Sequence, residues 1–294
     1  MPPRHTTPLE TVAVTVPEDA LEAFEAAWLA ACDTVGFFLD EDTGLWRLEG
    51  VKQIGANDRE LDAAIALANA ASGLQCELER TPTEADGWLA RSYESFAEQR
   101  IGRRFAIRGT HLSDPPAPGR ITLTLNAGVA FGSGEHNSSR GCLLALELVA
   151  HRRPRRILDL GTGSGILAMA AAALLHRPVL ASDIDPWAVR VTRENATANG
   201  LQHLVQPILA NGWRDPKVHG SYDLIFANIL ARPLCAMAKD LAANLAPGGT
   251  AILAGLLTNQ MRWVLAAHLR QGLHLERTLT LGAWSTVILR KRAR

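Results

Sequence analysis

The chain is short of the features that would place it outside the cell or in a membrane. It has four cysteines in 294 residues, Cys32, Cys76, Cys142 and Cys235, spaced far apart, with no Cys-x-x-Cys pair and no accompanying histidine spacing. Neither a zinc site nor a disulfide framework is expected from them, and a reducing compartment fits. The segment Met1 to Pro8 is polar and proline-rich with no apolar core or cleavage pattern, so it does not read as a secretory leader. The longest apolar stretch, Ile166 to Leu175, is too short to span a bilayer. A cytoplasmic location is therefore expected. Charge of one sign is also missing: Lys plus Arg and Asp plus Glu both number 30. That removes any global electrostatic case for nucleic acid and leaves only local basic runs, His151-Arg152-Arg153-Pro154-Arg155-Arg156 and Arg290 to Arg294. No internal repeat or low-complexity tract is present.

What is there centres on Asp159-Leu160-Gly161-Thr162-Gly163-Ser164-Gly165. An apolar strand, Arg156-Ile157-Leu158, runs into it and an alanine-rich helix, Ile166 to Leu175, leaves it. Glycines two apart permit strained dihedrals and bring a ligand against bare backbone, while a helix N-terminus presents N–H groups with no partner in the helix. A second strand, Pro178 to Ser182, ends in Asp183-Ile184-Asp185. An acid about 20 residues beyond a glycine turn is placed to accept hydrogen bonds from ribose hydroxyls. The turn is not a Walker loop, because no Gly-Lys-Ser/Thr ending follows. It also departs from the dinucleotide fingerprint, which wants its third glycine where Ile166 stands. Asp159 would repel a phosphate and welcome a cationic amine. Together these favour S-adenosylmethionine, which carries an ammonium and a sulfonium.

A third apolar run, Tyr222 to Ala227, reads as a buried parallel strand delivering Asn228-Ile229-Leu230 at its carboxyl end, where ligands of open α/β sheets sit. No aromatic ring follows Asn228 to stack on a planar base, so an aliphatic amine is the expected acceptor.

These segments resemble the ribosomal protein L11 methyltransferases, the PrmA family. The resemblance is carried by Ala130-Phe131-Gly132-Ser133-Gly134-Glu135-His136-Asn137-Ser138-Ser139-Arg140-Gly141-Cys142-Leu143, by Asp159 to Leu167, by Asp183-Ile184-Asp185-Pro186 and by Ala227-Asn228-Ile229-Leu230, in family order and spacing. It covers the chain from about residue 85 onward. The family usually has threonines where Ser133, Ser138 and Ser139 stand, and an Asp where Asn126 stands; serine keeps the hydroxyl and loses the methyl that restricts it. The resemblance implies methylation of amino groups on a large-subunit ribosomal protein, lysine side chains and the N-terminal amine; a monomer is expected, and the local basic runs leave contact with ribosomal RNA or with an acidic surface open. It places cofactor contacts at Ser139, Gly161, Asp183 and Asn228. The residue chemistry adds Asp159 and Gly163, with Asn228 as the catalytic candidate and no metal. His136 reads as a positioning residue. Two other readings remain open on the residues alone: a protein-lysine methyltransferase with another target, and a non-catalytic cofactor-binding assembly factor.

The expected architecture is α/β: a Rossmann-like class I S-adenosylmethionine-dependent methyltransferase domain with a smaller N-terminal ferredoxin-like α+β domain. Residues 1–80 are expected to recognise substrate, 81–120 to form a linker region and 121–294 to bind cofactor. In the first part, Thr11–Val16, Phe37–Asp40, Leu45–Glu49 and Leu74–Glu79 read as strands, with helices from Pro17 to about Ala31 and from Asn57 to Ala71. Asp86–Glu98 reads as linker and helix, Ile121–Leu125 as a strand, and Leu275–Thr280 with Trp284–Leu289 as a hairpin giving an antiparallel edge strand.

Overall fold

A computed structural model describes residues 9–21, 23–24, 28, 31–32, 34–40, 43–83, 98–110, 112–116, 118–125 and 137–293, with the side chains of 18 and 34–39 excepted. The expected linker and helix over Asp86–Glu98, all but its last residue, and the motif from Ala130 to His136 lie outside the described residues. The chain divides into two compact units, 1–92 and 93–294.

In the first unit four strands, β1 (Leu9–Val16), β2 (Thr34–Leu39), β3 (Trp46–Gln53) and β4 (Glu79–Thr83), form an antiparallel sheet in the order β2-β3-β1-β4. This is the ferredoxin-like arrangement, in which β3 inserts between the two strands that a helix connects. In β3 burial alternates residue by residue, so Trp46, Leu48 and Lys52 share the covered face. Helix α1 (Asp58–Ser72) turns Leu61, Ile65 and Ala68 inward at four- and three-residue spacing and stops at Gly73, whose left-handed φ of 71° closes the last turn. Phe24 and Trp28, in the stretch expected to be helical, are fully buried. Lys52 is 1% exposed and survives burial because Glu10 (2.7 Å) and Asp58 (2.6 Å) take its ammonium. Arg80 bridges the same two acids, and removing one member of such a network would strand a buried charge.

The last strand falls at Glu79–Thr83 rather than at Leu74–Glu79. Asn69 on α1 clamps Cys76 through both its amide atoms (2.9 and 3.1 Å), which holds that backbone off the sheet until Glu79 meets Ala13.

The second unit carries two sheets. Residues 98–125 include β5 (Gln99–Ile101), β6 (Phe105–Gly109) and β7 (Ile121–Leu125), so two strands, β5 and β6, fall in the stretch expected to be linker. All five residues of β6 are buried, a pattern without the alternation that marks a strand in a sequence. The larger sheet has seven strands in the order β10-β9-β8-β11-β12-β14-β13: β8 (Ile157–Leu160), β9 (Val179–Asp183), β10 (Val205–Leu209), β11 (Tyr222–Asn228), β12 (Leu245–Leu257), β13 (Leu273–Leu281) and β14 (Trp284–Lys291). The first five are parallel. The hairpin is β13–β14, and β14, antiparallel to both neighbours, lies inside the sheet, leaving β13 at the edge.

Helices α2 (Asn137–Val149), α3 (Ile166–Leu175) and α4 (Pro186–Ala198) contribute Cys142, Leu146, Met169 and Ala196 to one apolar core. The short helices α5 (Ala231–Ala236) and α6 (Ala238–Asn244), with α7 (Met261–Leu269), give Leu234, Leu241 and Val264 to a second core. Two cores sandwich the sheet, as a doubly wound fold requires.

Candidate active site

The parallel strands β8, β9 and β11 end side by side, and each delivers one of the polar residues singled out above. Asp159 lies in β8 and is 1% exposed. Its Oδ2 accepts from the Thr162 hydroxyl (2.7 Å) and the Ala168 N–H (3.1 Å), while its Oδ1 is buried with no donor among the described residues. Burial pushes its carboxyl up to about 7; the Thr162 and Ala168 bonds pull the other way and the nearby Asp183 adds a smaller upward push.

Asp183 ends β9. Its Oδ2 accepts from the Gly163 N–H (2.9 Å) and its Oδ1 from the Asp185 N–H (3.0 Å). A carboxylate has about four acceptor positions, so each oxygen keeps one for a further donor. Asp185 then caps α4 by accepting from Trp187 N at 2.8 Å.

Several backbone N–H groups at the glycine turn and the start of α3 are already taken, contrary to expectation. Those of Gly161 and Thr162 donate to the Ser182 carbonyl, at 2.8 and 3.0 Å, that of Gly163 to Asp183, and that of Ala168 to Asp159. The protein's own carboxylates occupy positions at which a phosphate would otherwise be held, so the turn suits a cationic rather than an anionic ligand. Gly161 and Gly163 have φ of 73° and 54°, in the region favouring glycine. A methyl group on Gly161 would collide with Cγ2 of Ile229, so the turn and the segment after β11 touch directly.

Asn228 ends β11. Its Nδ2 donates to the hydroxyl of Ser139 (3.2 Å), a fully buried residue in the first turn of α2. Its Oδ1 is buried and has no donor among the described residues. Ser139, Asp159, Gly161, Gly163, Asp183 and Asn228 thus cluster at one edge of the sheet. His136 lies outside the described residues.

Residues that sequence reasoning missed support these from behind. Thr192 donates to the Gly163 carbonyl (2.9 Å) and Asn195 to that of Ser164 (2.8 Å), so α4 braces the turn. Gly255, with φ 79°, sits where β12 shifts register and where a Cβ would lie 2.5 Å from the Ile229 carbonyl oxygen. Its positive φ is the device that lets the Asn228-Ile229 backbone come close. Two polar residues at helical spacing on α4 were the available signal for Thr192 and Asn195; a lone glycine in a long strand was the signal for Gly255.

The sheet order with its interior antiparallel strand, the glycine turn after β8 and the acid ending β9 define an α/β Rossmann-like, class I S-adenosylmethionine-dependent methyltransferase fold. The residues fit that cofactor: two buried carbonyl or carboxylate oxygens lack donors among the described residues, and the donor set disfavours phosphate. The sequence profile described as ribosomal protein L11 methyltransferase (PrmA) matches residues 23–292. The chain is 44% identical over 259 residues to a ribosomal protein L11 methyltransferase of Rhizobium meliloti, covering 85% of this chain and 87% of that one. It is 46% identical over 211 residues to the namesake in Bradyrhizobium diazoefficiens, covering 71% of each. A solved ribosomal protein L11 methylase of Lactobacillus delbrueckii subsp. bulgaricus superposes with a TM-score of 0.62 at 29% identity, over 67% of this chain and all of that one. The chain belongs to the ribosomal protein L11 methyltransferase (PrmA) family. Among the described residues no helix is long and apolar enough to cross a membrane.

Proposed function

We propose that this enzyme transfers methyl groups from S-adenosylmethionine to amino groups of ribosomal protein L11, lysine side chains and the N-terminal amine, in the cytoplasm and as a monomer, with ribosomal RNA as a further contact. The observation that carries the amine reading is the Asn228 carbonyl oxygen, buried without a donor among the described residues while its amide nitrogen donates to Ser139. A buried acceptor without a partner costs about 1–3 kcal/mol, which an arriving N–H would relieve.

The cofactor supplies an electrophilic methyl on a sulfonium. Asp183 would hold ribose hydroxyls with its two remaining acceptor positions. Asp159 Oδ1 would face the methionyl ammonium, and Gly161 and Gly163 would let the ligand lie on bare backbone. Asn228 would accept an N–H of the substrate amine and so aim the nitrogen lone pair at the methyl, with Ser139 fixing which way the amide points. Neutral amine is required for attack, and transfer into an apolar, partly desolvated site lowers an amine's pKa. The chain's main contribution is orientation, which removes about 7–11 kcal/mol from barriers of this kind. The N-terminal unit, residues 1–80 in particular, would present the substrate protein.

The test is transfer of labelled methyl from S-adenosylmethionine to purified L11, with mass spectrometry locating the methyls. Amine nitrogens are expected; methyls on a glutamine amide, a carboxylate or RNA overturn the amine reading. Residues 93–294 alone are expected to retain cofactor and to lose transfer to intact L11. Transfer at the parental rate by that fragment would remove the presentation role.

A further inference from the structure

The edge of the large sheet opposite the methyl-transfer site holds a pocket of about 290 Å³ whose rim includes Arg152, Arg153, Arg155 and Arg290. It lies at the N-terminal ends of the strands: Asp223 and Leu224 begin β11, Gly248 and Thr250 belong to the start of β12, and Arg155 precedes β8. Asn228 is five residues further along β11, roughly 16 Å away at about 3.3 Å per residue. A second pocket of about 410 Å³ shares Arg153 and Pro154 with the first and adds Arg104 and Arg177. The two form one cationic surface with Arg153–Pro154 as the ridge between them.

The acids present do not neutralise it. Asp223 turns its Oδ2 to the backbone N–H groups of Arg155 and Arg156, at 2.8 and 3.0 Å, and Glu147 accepts from the backbones of Arg103 and Arg104, at 3.1 and 2.7 Å. Glu276 pairs with Arg152 alone. The guanidinium groups of Arg153, Arg155, Arg290, Arg104 and Arg177 have no ion pair among the described residues. Arg152 donates to Thr250 (2.8 Å), yet its Nε–H is buried without an acceptor among the described residues. In a chain whose formal net charge is zero, this face is a local excess of positive charge built from arginine.

We propose that this surface binds the phosphate backbone of RNA. Arginine's planar fork matches phosphate oxygens bidentately, and two adjoining cationic pockets fit a chain of phosphates better than a single small anion. Placement on the far edge of the sheet leaves Asn228 and Asp183 open to cofactor and protein substrate while RNA is held behind. The identity of that RNA as ribosomal rests on the proposed function; the phosphate chemistry does not.

The experiment measures binding of a short fluorescein-labelled RNA of mixed sequence to the full chain between about 50 and about 200 mM salt, where phosphate contacts dominate the salt response. The comparison is with a triple variant, Arg153→Gln, Arg155→Gln and Arg290→Gln, whose side chains reach solvent. The variant is expected to bind RNA at least tenfold more weakly and to flatten the log–log salt slope by about 2, at ~0.7–0.9 per lost contact. Its affinity for S-adenosylhomocysteine and its methyl transfer to isolated L11 should equal the parent's. An unchanged slope, no RNA binding by the parent at the lower salt, or displacement of RNA by S-adenosylhomocysteine overturns the proposal. So does equal affinity for polyglutamate or phosphatidylglycerol vesicles. RNA binding through these arginines together with no methyl transfer to L11 would sink the proposed function and leave this surface standing.

Discussion

The buried carboxyl of Asp159 makes cofactor binding and folding respond to pH in opposite senses. Its carboxyl is raised by burial from 3.8 to about 7, a shift of about three pH units, each equivalent to ~1.4 kcal/mol. Ionising it in the cofactor-free protein therefore costs roughly 4 kcal/mol. The folded state holds this proton more tightly than the unfolded chain, so the contribution to stability is complete below pH about 4 and is lost as pH rises through about 7. A cationic ligand beside Oδ1 favours the ionised form, and binding below pH 7 must expel the proton. From pH 7 down to pH 5, affinity for S-adenosylmethionine should fall by up to tenfold per unit, with close to one proton released per ligand. Titration calorimetry in buffers of different ionisation enthalpy reads that proton directly. In Asp159→Asn the side-chain carbonyl still accepts from Thr162 and Ala168, so the fold should persist. This variant should bind weakly and without pH dependence over the same range, and its stability relative to the parent should rise between pH 5 and 8. Equal parental affinity at pH 5 and pH 7, or the same pH profile in the variant, would refute the placement of a ligand cation at Asp159.

Asp183→Ala removes the two acceptor positions proposed to take ribose hydroxyls, and charge-assisted bonds contribute about 1.5–3 kcal/mol, so calorimetry should show at least a tenfold loss of S-adenosylmethionine affinity; unchanged affinity takes Asp183 out of the site. Asn228→Ala should lower kcat and kcat/KM together while cofactor affinity changes little, because the lost interaction is felt mainly in the transition state; a rise in KM at constant kcat would assign Asn228 to ground-state binding instead. Gly255→Ala places a methyl 2.5 Å from the Ile229 carbonyl oxygen at a φ of 79°, and strain plus overpacking should cost about 2–5 kcal/mol, read as a lower Tm; an unaltered Tm would mean that Ile229 does not need that close approach.

The parts of this protein that were legible in advance are those where a residue type answers a purely local demand. Gly161 and Gly163 carry positive φ, and the alanine run of α3 is buried on nearly every side. The spacing from the glycine turn to Asp183 was legible because one helix and one strand fill it at nearly fixed length. What was not legible depends on contacts between elements distant in sequence. Strands β5 and β6 exist because β7 pairs with β6, and the strand after α1 starts late because Asn69 holds Cys76.

The fate of the turn's amide groups shows the same limit at the site itself. A Gly-x-Gly-x-Gly turn opening a helix is compatible with an anion cradle, and its residues alone do not say where the N–H groups point. The structure assigns them to Ser182, Asp183 and Asp159, two of which are acids from neighbouring strand ends. A phosphate arriving there would have to displace a carboxylate and lie beside another. The sequence clue to this was the acid opening the turn, which carries the exclusion of phosphate only once Ala168 and Thr162 are seen to bury it. Preference for a cationic cofactor is therefore a property of the packed turn, set by which acceptor each backbone amide has already taken.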